Sequence, residues 1–345
     1  PLAQLKEAGV ESIVISDLPP EPTYTQVQTL VDEFKASGAD FIVAVGGGSA
    51  IDTAKGIAHG AANPDVDIWK FWSGEEKVQK SMPVGVILTI SAAGSETSAS
   101  SVLTNKATGS KRGLDNIAFN FPKFAIMDPE LTFTLPVYQV ACGVTDIMMH
   151  TMDRYFNPVT DNDLTDELAE ALLRVVLRNG PAAVQDPHDE TAMSEIMWAG
   201  SLSHNGLTGL GGNKDFAPHQ LGHALSEKFD VYHGESLTAI WSSWARYVLD
   251  TDVSRFARFA RNVWGVEAAD DKEAALAGIA AQEAFFRSIG MPVRIPALSC
   301  GRQDEAGLAD LASRCSYGRT RTIGTFRVLG YDDILAIYQL ANNEE

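Results

Sequence analysis

An α/β domain followed by an all-helical domain is the fold class this sequence predicts, and three observations predict it. Short β-branched runs alternate with helical patterns through the first third of the chain. After Asp128-Pro129 almost every segment from Val137 onward carries helical spacing, as in Leu164, Leu168, Leu172 and Val176. A length of 345 residues at 45% hydrophobic content is enough for two cores. The expected division is 1–136 for the α/β part and 137–345 for the helical part.

The elements follow in order. Residues 2–8 read as the tail of a helix leading into a strand over 12–16, and the reading expects further sequence upstream of Pro1. A helix over 25–37, a strand over 41–45, a helix over 51–60 and a strand over 84–90 then alternate as a parallel, Rossmann-like sheet with flanking helices requires. Runs 98–105 and 124–127 read as further strands, and the polar turn around Gly109 reads as a hairpin-like excursion. Helices are expected over 137–156, 163–178, 190–203, 216–228, 235–249, 253–264, 272–288 and 332–340, with Asn179-Gly180-Pro181 as the stop signal of the second. No internal repeat or low-complexity tract interrupts them.

Composition excludes several function classes. Lysine and arginine total 27 against 45 acidic residues, a formal charge of −18, which argues against a nucleic-acid partner. No apolar run reaches the roughly 18 residues that cross a bilayer, and no charged leader, apolar stretch and cleavage site opens the chain, so a cytoplasmic protein with no membrane partner is expected. Cys142, Cys300 and Cys315 are too few and too scattered for a disulfide framework or a thiolate metal cage, and read as reduced packing residues.

Gly46-Gly47-Gly48-Ser49 follows a predicted buried strand and precedes a helix carrying Asp52 and Lys55. Backbone N–H groups of such glycines can approach a phosphate closely, and the helix N-terminus adds partial positive charge. A pyrophosphate cradle and a tight turn that needs glycine for steric reasons fit this local context equally. It is not the usual dinucleotide fingerprint, because Ile51 stands where the third glycine belongs, and no Walker A sequence occurs. A second loop, TISAAGSE (89–96), ends another predicted strand, so both loops can line one crevice at the carboxyl ends of the sheet, with hydroxyls from Thr89, Ser91 and Ser95. Helix capping is the simpler reading of Ser95 alone.

The histidines carry the strongest signal. Of seven in the chain, His219, His223 and His233 fall within fifteen residues, while Asp146 and His150 lie one helical turn apart upstream. A helix places Asp146 and His150 on one face, and His219 and His223 on another. Such pairs arise by chance in any helix, so Asp146 and His150 alone read as structural; with the second cluster beside them the metal reading prevails. One carboxylate and several imidazoles suit Zn²⁺ or Fe²⁺ far better than Ca²⁺ or Mg²⁺. HQLGH (219–223) resembles the metalloprotease helix HExxH, but Gln220 replaces the glutamate that would act as general base, which disfavours proteolysis. Spacing leaves open which of His219 and His223 is a ligand.

GGGSAIDTAK (46–55), LTISAAGSE (88–96), MDPELTFTLP (127–136), GVTDIMMH (143–150) and HQLGH followed by YHG (232–234) jointly resemble the iron-containing, group III alcohol dehydrogenases, in order and over essentially the whole chain. MWAGSLSHNGL (197–207) with GHALSEKF (222–229) looks most like the NADP-linked butanol dehydrogenase and broad-range aldehyde reductase branch. The resemblance implies Asp146, His150, His219 and His233 as metal ligands, with His223 beside them near substrate and nicotinamide. It implies Gly47, Gly48 and Ser49 on the pyrophosphate, with Asp52 on the same cofactor-binding helix. Thr89, Ser91 and Ser98 fall around the cofactor, and Lys111 reaches its ribose or nicotinamide side. Lysine in the polar turn 109–113 would by default be a solvated surface charge. Family members carry a further strand-helix portion before the equivalent of Pro1, whose loop helps choose between NAD and NADP.

The expected activity is that of an alcohol dehydrogenase or aldehyde reductase that needs a divalent metal (Fe²⁺ or Zn²⁺) and NADP or NAD, with NADP favoured by the branch. Its substrates are short to medium chain primary alcohols and aldehydes, and a homodimer or higher homo-oligomer is expected. The metal would polarise the substrate oxygen while hydride moves, with His223 as proton relay or substrate-orienting group. Competing readings are a glycerol dehydrogenase or dehydroquinate synthase-like relative, and a metal-bound scaffold without enzymatic activity. Lys228 is the sole basic residue between His219 and His233, too few for a phosphorylated dehydroquinate synthase substrate.

Overall fold

The computed structural model describes residues 2–16, 18–19 and 21–343, so Pro1, Glu344 and Glu345 at the ends of the expected domains lie outside the described residues. Contacts divide the chain into two units. One runs to Thr89 and resumes from Ser95 to Met127; the other comprises Ile90–Gly94 and everything from Asp128 onward.

After a short helix α1 (Leu2–Glu7), the first unit is built on helices α2 (Tyr24–Ser37) and α3 (Gly48–Ala62). Helical spacing places Val27, Leu30, Val31 and Phe34 on one face of α2, and all four are buried. That face lies on α3 at Gly56 and Gly60, where an added Cβ would stand 2.8 Å from Val27 and 2.5 Å from Val31. Strands β1 (Ile42–Gly46) and β2 (Val84–Leu88) pair in parallel on either side of this helix in sequence, as the alternating pattern predicts, with a short helix α4 (Trp69–Ser73) between them that the sequence reading lacks. An antiparallel ribbon, β3 (Ser100–Asn105) with β4 (Ser110–Asp115), realises the hairpin expected at Gly109, and β5 (Ala125–Ile126) adds a third parallel strand beside β2.

Residues 12–16 do not form a strand. Ile13 and Val14 are 64% and 61% exposed, and no strand among the described residues pairs with them. β-branched side chains favour a pleated, half-buried surface, and without a neighbouring strand that preference has nothing to act on.

Two buried polar groups on α3 fasten the rest of the unit. Lys55, 1% exposed, donates to the carbonyl oxygens of Ser95 (2.8 Å), Ser98 (3.2 Å) and Ser100 (2.7 Å), so one ammonium group holds the segment that leads into β3. Burial pushes this lysine down to about 8, with the Asp52 and Glu96 carboxylates opposing the shift. One turn later, His59 lies between Ser81 Oγ (2.9 Å from Nδ1) and Asn120 Oδ1 (2.6 Å from Nε2). The Asn120 amide nitrogen donates to the carbonyls of Ala99 and Leu114, which turns its oxygen toward His59 and places the ring proton on Nε2. Burial lowers His59 to about 4, against the hydrogen bond its Nε2–H donates to Asn120. In the unfolded chain the ring takes up its proton near pH 6.5, so between 6.5 and 4 the unfolded state binds more protons. Stability present above pH 6.5 is therefore expected to be lost as pH falls toward 4, by roughly 3 kcal/mol from this residue. Urea unfolding across that window checks it: the slope should flatten in His59→Gln, and an unchanged slope would assign the effect elsewhere.

The second unit is helical, as expected. Helix α5 (Val137–Tyr155) is buried on nearly every side from Val140 to Tyr155, which marks it as the central helix of the unit. Around it pack α6 (Asp163–Gln185), α7 (Glu190–His204), α8 (Ala217–Phe229) and α9 (His233–Val248). Next come α10 (Val253–Trp264), α11 (Asp271–Ser288), α12 (Glu305–Cys315), which the sequence reading lacks, and α13 (Tyr331–Ala341). The stop signal at 179–181 does not stop α6, which continues with Pro181 inside it. Proline removes one backbone hydrogen bond, but Gly180 lies against Val144 of α5 and Ala183 is buried, so packing carries the helix onward. Aromatic rings fill the core, among them Tyr155, Phe156, Trp241, Trp244, Phe256 and Phe259, each at most 1% exposed. No helix among the described residues is long and apolar enough to cross a membrane.

Candidate functional site

Three elements of the second unit bring the predicted ligands together. Asp146 and His150 project from one face of α5, as their spacing requires. Helix α8 delivers His219, with Pro218 in its first turn and the Ala217 N–H met by the carboxylate of Asp215, just before the N-cap Phe216, at 3.1 Å. Phe216, just before that helix, adopts a left-handed backbone (φ 54°) that non-glycine residues rarely hold. His233 opens α9, where Glu235 accepts from the Tyr232 N–H at 2.8 Å and also from the Tyr138 hydroxyl of α5. Gly234 lets α9 touch α5: an added Cβ would meet the Cys142 backbone at 2.6–2.7 Å, one turn before Asp146.

Asp146 Oδ1 is 3.5 Å from His150 Nδ1, 3.6 Å from His219 Nε2 and 3.6 Å from His233 Nε2. Asp146, His150 and His219 are all buried, with donor atoms mutually within 4.8 Å. None of Asp146 Oδ1, His150 Nδ1 and His219 Nε2 has a hydrogen-bond partner among the described residues. Unpaired buried polar atoms are costly, and a converging set of them fits a ligand that supplies what they lack. Metal–donor bonds of 2.0–2.2 Å in a tetrahedron separate the donors by about 3.3–3.6 Å, which these spacings match. The residues present therefore fit a divalent ion of the zinc or iron type.

Electrostatics divide the two innermost imidazoles. Burial, reinforced by the neighbouring His204 and His219, holds His150 well below its ordinary range and hence neutral. Burial acts in the same direction on His219, but the Asp153 and Asp146 carboxylates outweigh it and raise this ring to about 9. Asp153 accepts from His219 Nδ1 at 2.5 Å, which leaves Nε2 facing Asp146. His223 is half-buried on the next turn of α8, its ring centroid 5.2 Å from that of His233 and 6.2 Å from that of His219.

Several residues at this site are absent from the sequence reading. Asp153 was within reach of it, lying three residues after His150 on the same helical face. Arg154, His204 and Asp215 carry no spacing signal, because they meet from different elements: Arg154 Nη2 is 3.0 Å from His204 Nδ1, and Asp215 accepts from the Thr325 and Phe326 N–H groups at 2.6 and 2.8 Å.

The predicted cofactor residues fall into two groups. In the first unit, parallel pairing puts Gly46 beside Leu88 and the Thr89 N–H donates to the Gly46 carbonyl at 3.1 Å, so the two strand ends are neighbours. Gly47 is the N-cap of α3 and Gly48 and Ser49 its first residues. Asp52 faces inward instead, one carboxylate oxygen accepting from the Val102 N–H at 2.9 Å, and burial raises it to about 6 against Lys55. Ser98 is buried, its hydroxyl accepting from the Ser100 N–H at 3.3 Å. Lys111 lies on β4, 18% exposed, with Nζ 3.7 Å from Glu21. Ser91 belongs to the second unit, where its hydroxyl is buried and unpartnered among the described residues and its carbonyl oxygen packs on Gly143 of α5. A Cβ at Gly143 would collide with that oxygen. Gly143→Ala is therefore expected to lower stability by about 1–3 kcal/mol, read as the urea midpoint; a neutral outcome would show that residues 90–94 move freely.

Comparison with known proteins extends this picture. The family model for iron-containing alcohol dehydrogenases matches residues 2–129, and the model for the C-terminal part of the Fe-containing alcohol dehydrogenase family matches 140–342. NADH-dependent butanol dehydrogenase A of Clostridium acetobutylicum is 35% identical over 339 residues, 98% of this chain and 86% of that protein. The NADPH-dependent aldehyde reductase YqhD of Escherichia coli is 33% identical over 289 residues, 83% of this chain and 74% of that protein. The crystal structure of a Thermotoga maritima NADH-dependent butanol dehydrogenase A superposes with a TM-score of 0.93 at 28% identity, covering 99% of this chain and 86% of that one. Matched from near its first residue to near its last, and sharing a third of its residues with curated members, the chain belongs to the iron-containing alcohol dehydrogenase family.

Proposed function

We propose that this protein is a metal-dependent, nicotinamide-linked alcohol dehydrogenase that works as an aldehyde reductase on short to medium chain primary alcohols and aldehydes. The observation that carries the reading is the convergence of three buried donors lacking partners, with His233 at the same distance from Asp146. The names of its relatives, butanol dehydrogenases and an aldehyde reductase, support the substrate class.

In this reading Asp146, His150, His219 and His233 hold the divalent ion, iron or zinc, whose donor set of one carboxylate and three imidazoles both metals accept. When bound, the ion supplies Lewis acidity that polarises a carbonyl or alcohol oxygen, worth several kcal/mol of transition-state stabilisation. The chain supplies the rest. Asp153 keeps His219 oriented, the buried walls of α5 and α8 exclude water, and His223, beside His233 but outside the close set, relays the proton or orients substrate. Gly47, Gly48 and Ser49 receive the pyrophosphate at the start of α3, where backbone N–H groups and the helix dipole favour an anion. Thr89, Ser91, Ser98 and Lys111 act around the cofactor, and Asp52 acts on that site from inside by holding β3. Relatives named for NADH and for NADPH both occur, and NADP is the proposed preference. The protein works as a homo-oligomer.

The test is oxidation of NADH and NADPH with butyraldehyde by the full chain loaded with Fe²⁺ or Zn²⁺. Aldehyde-dependent oxidation that a chelator removes and added metal restores is the expected result. Metal-loaded protein that binds nicotinamide and leaves every aldehyde unreduced would overturn the reading.

A further inference from the structure

Two consecutive residues of α5 point to two different histidines, and their chemistry is opposite. Asp153, 1% exposed, accepts from His219 Nδ1 at 2.5 Å. Arg154, 4% exposed, donates Nη1 to the His150 carbonyl at 2.7 Å and places Nη2 3.0 Å from His204 Nδ1. Its guanidinium carbon also lies 4.9 Å from the Phe216 ring, and Gly209 leaves room for its stem, since a Cβ there would stand 2.9 Å from the Arg154 Cδ.

A guanidinium has five N–H donors, no acceptor and no accessible neutral form, so the ring nitrogen that faces it must present a lone pair. An ionised carboxylate only accepts, so the ring nitrogen that faces it must carry the proton. We propose that Asp153 and Arg154 set opposite tautomers on two neighbouring imidazoles, making His219 a metal ligand through Nε2 and His204 a neutral Nε2–H donor that is barred from the metal. The distances alone suggest otherwise: the His204 ring centroid is 4.1 Å from that of His150, closer than His219 at 4.5 Å. What separates them is the partner on Nδ1. With Nδ1 facing the Arg154 guanidinium as acceptor, the ring's donor is Nε2–H. On this account Asp153 and Arg154 are positioning residues acting through the rings they face.

The inference rests on the metal site proposed above, and its test separates the two. The full chain, labelled with ¹⁵N-histidine and loaded with Zn²⁺, is read by long-range ¹H–¹⁵N correlation, with the His204 signals assigned by their loss in His204→Gln. The expected pattern for His204 is protonated Nε2 with unprotonated Nδ1, lost or mixed in Arg154→Met. Zinc affinity by chelator competition should fall about 10–100-fold in Asp153→Asn and stay within about twofold of wild type in His204→Gln. A His204 ring protonated on Nδ1 overturns the proposal. So does a His204→Gln variant that loses zinc as severely as His219→Gln, or an Asp153→Asn variant with unchanged affinity. Wild-type protein that binds no zinc would remove the metal site itself, while the His204 tautomer remains readable without metal.

Discussion

His219→Ala and His233→Ala are each expected to strip the divalent ion and reduce kcat/KM by about 10²–10⁴-fold, the rate equivalent of the several kcal/mol that a Lewis acid supplies. His219 is the more severe case, because its removal also leaves the Asp153 carboxylate buried without the ring it holds. His223→Ala should behave differently: metal content stays near wild type while kcat falls, since its ring lies beside His233 rather than in the close set around Asp146. Elemental analysis of the purified variants, paired with steady-state kinetics, distinguishes these outcomes. Metal lost from His223→Ala would exchange the assignments of His219 and His223.

Asp166→Ala carries the largest expected loss of stability, about 3–5 kcal/mol, because it leaves a charge buried without its counter-ion. Arg255 and Asp166 are 6% and 3% exposed and form a two-pronged pair, one contact at 2.6 Å. The same guanidinium donates Nε to the Tyr155 carbonyl at 2.8 Å and lies 4.0 Å from the Tyr155 ring. Tyr155 ends α5, so this ion pair secures the end of the helix that carries Asp146 and His150. Urea unfolding followed by tryptophan fluorescence reads the loss. The double variant Asp166→Leu with Arg255→Met removes both charges and should recover much of it. A single variant no more damaging than the double would show that the unpaired charge is not the cause.

Much of this was legible in the sequence where the signal was periodic or local. The pairs Asp146 with His150 and His219 with His223 follow from the helical repeat, and the glycine turn after β1 from its position between strand and helix. Spacing does not distinguish His219 from His223, because both occupy one face of α8; the approach of His219 to Asp146 involves a different helix. Local pattern also overstated two features. The run around Ile13 has strand propensity but no pairing strand among the described residues, and the stop signal at Gly180 is overridden by contact with Val144. Asp52 shows a further limit: sequence places it beside the glycine turn but does not reveal that its carboxylate turns inward to Val102.

The left-handed Phe216 sets stability against function at a single position. Holding a bulky residue in that conformation costs on the order of 1–3 kcal/mol, yet its ring lies 5.0 Å from the His219 ring and forms the aromatic wall beside the Arg154 guanidinium. Glycine would ease the backbone and remove the wall. A search for heat-resistant variants that scores folding alone would favour that exchange, and would harvest molecules that endure longer without the ring that walls His219.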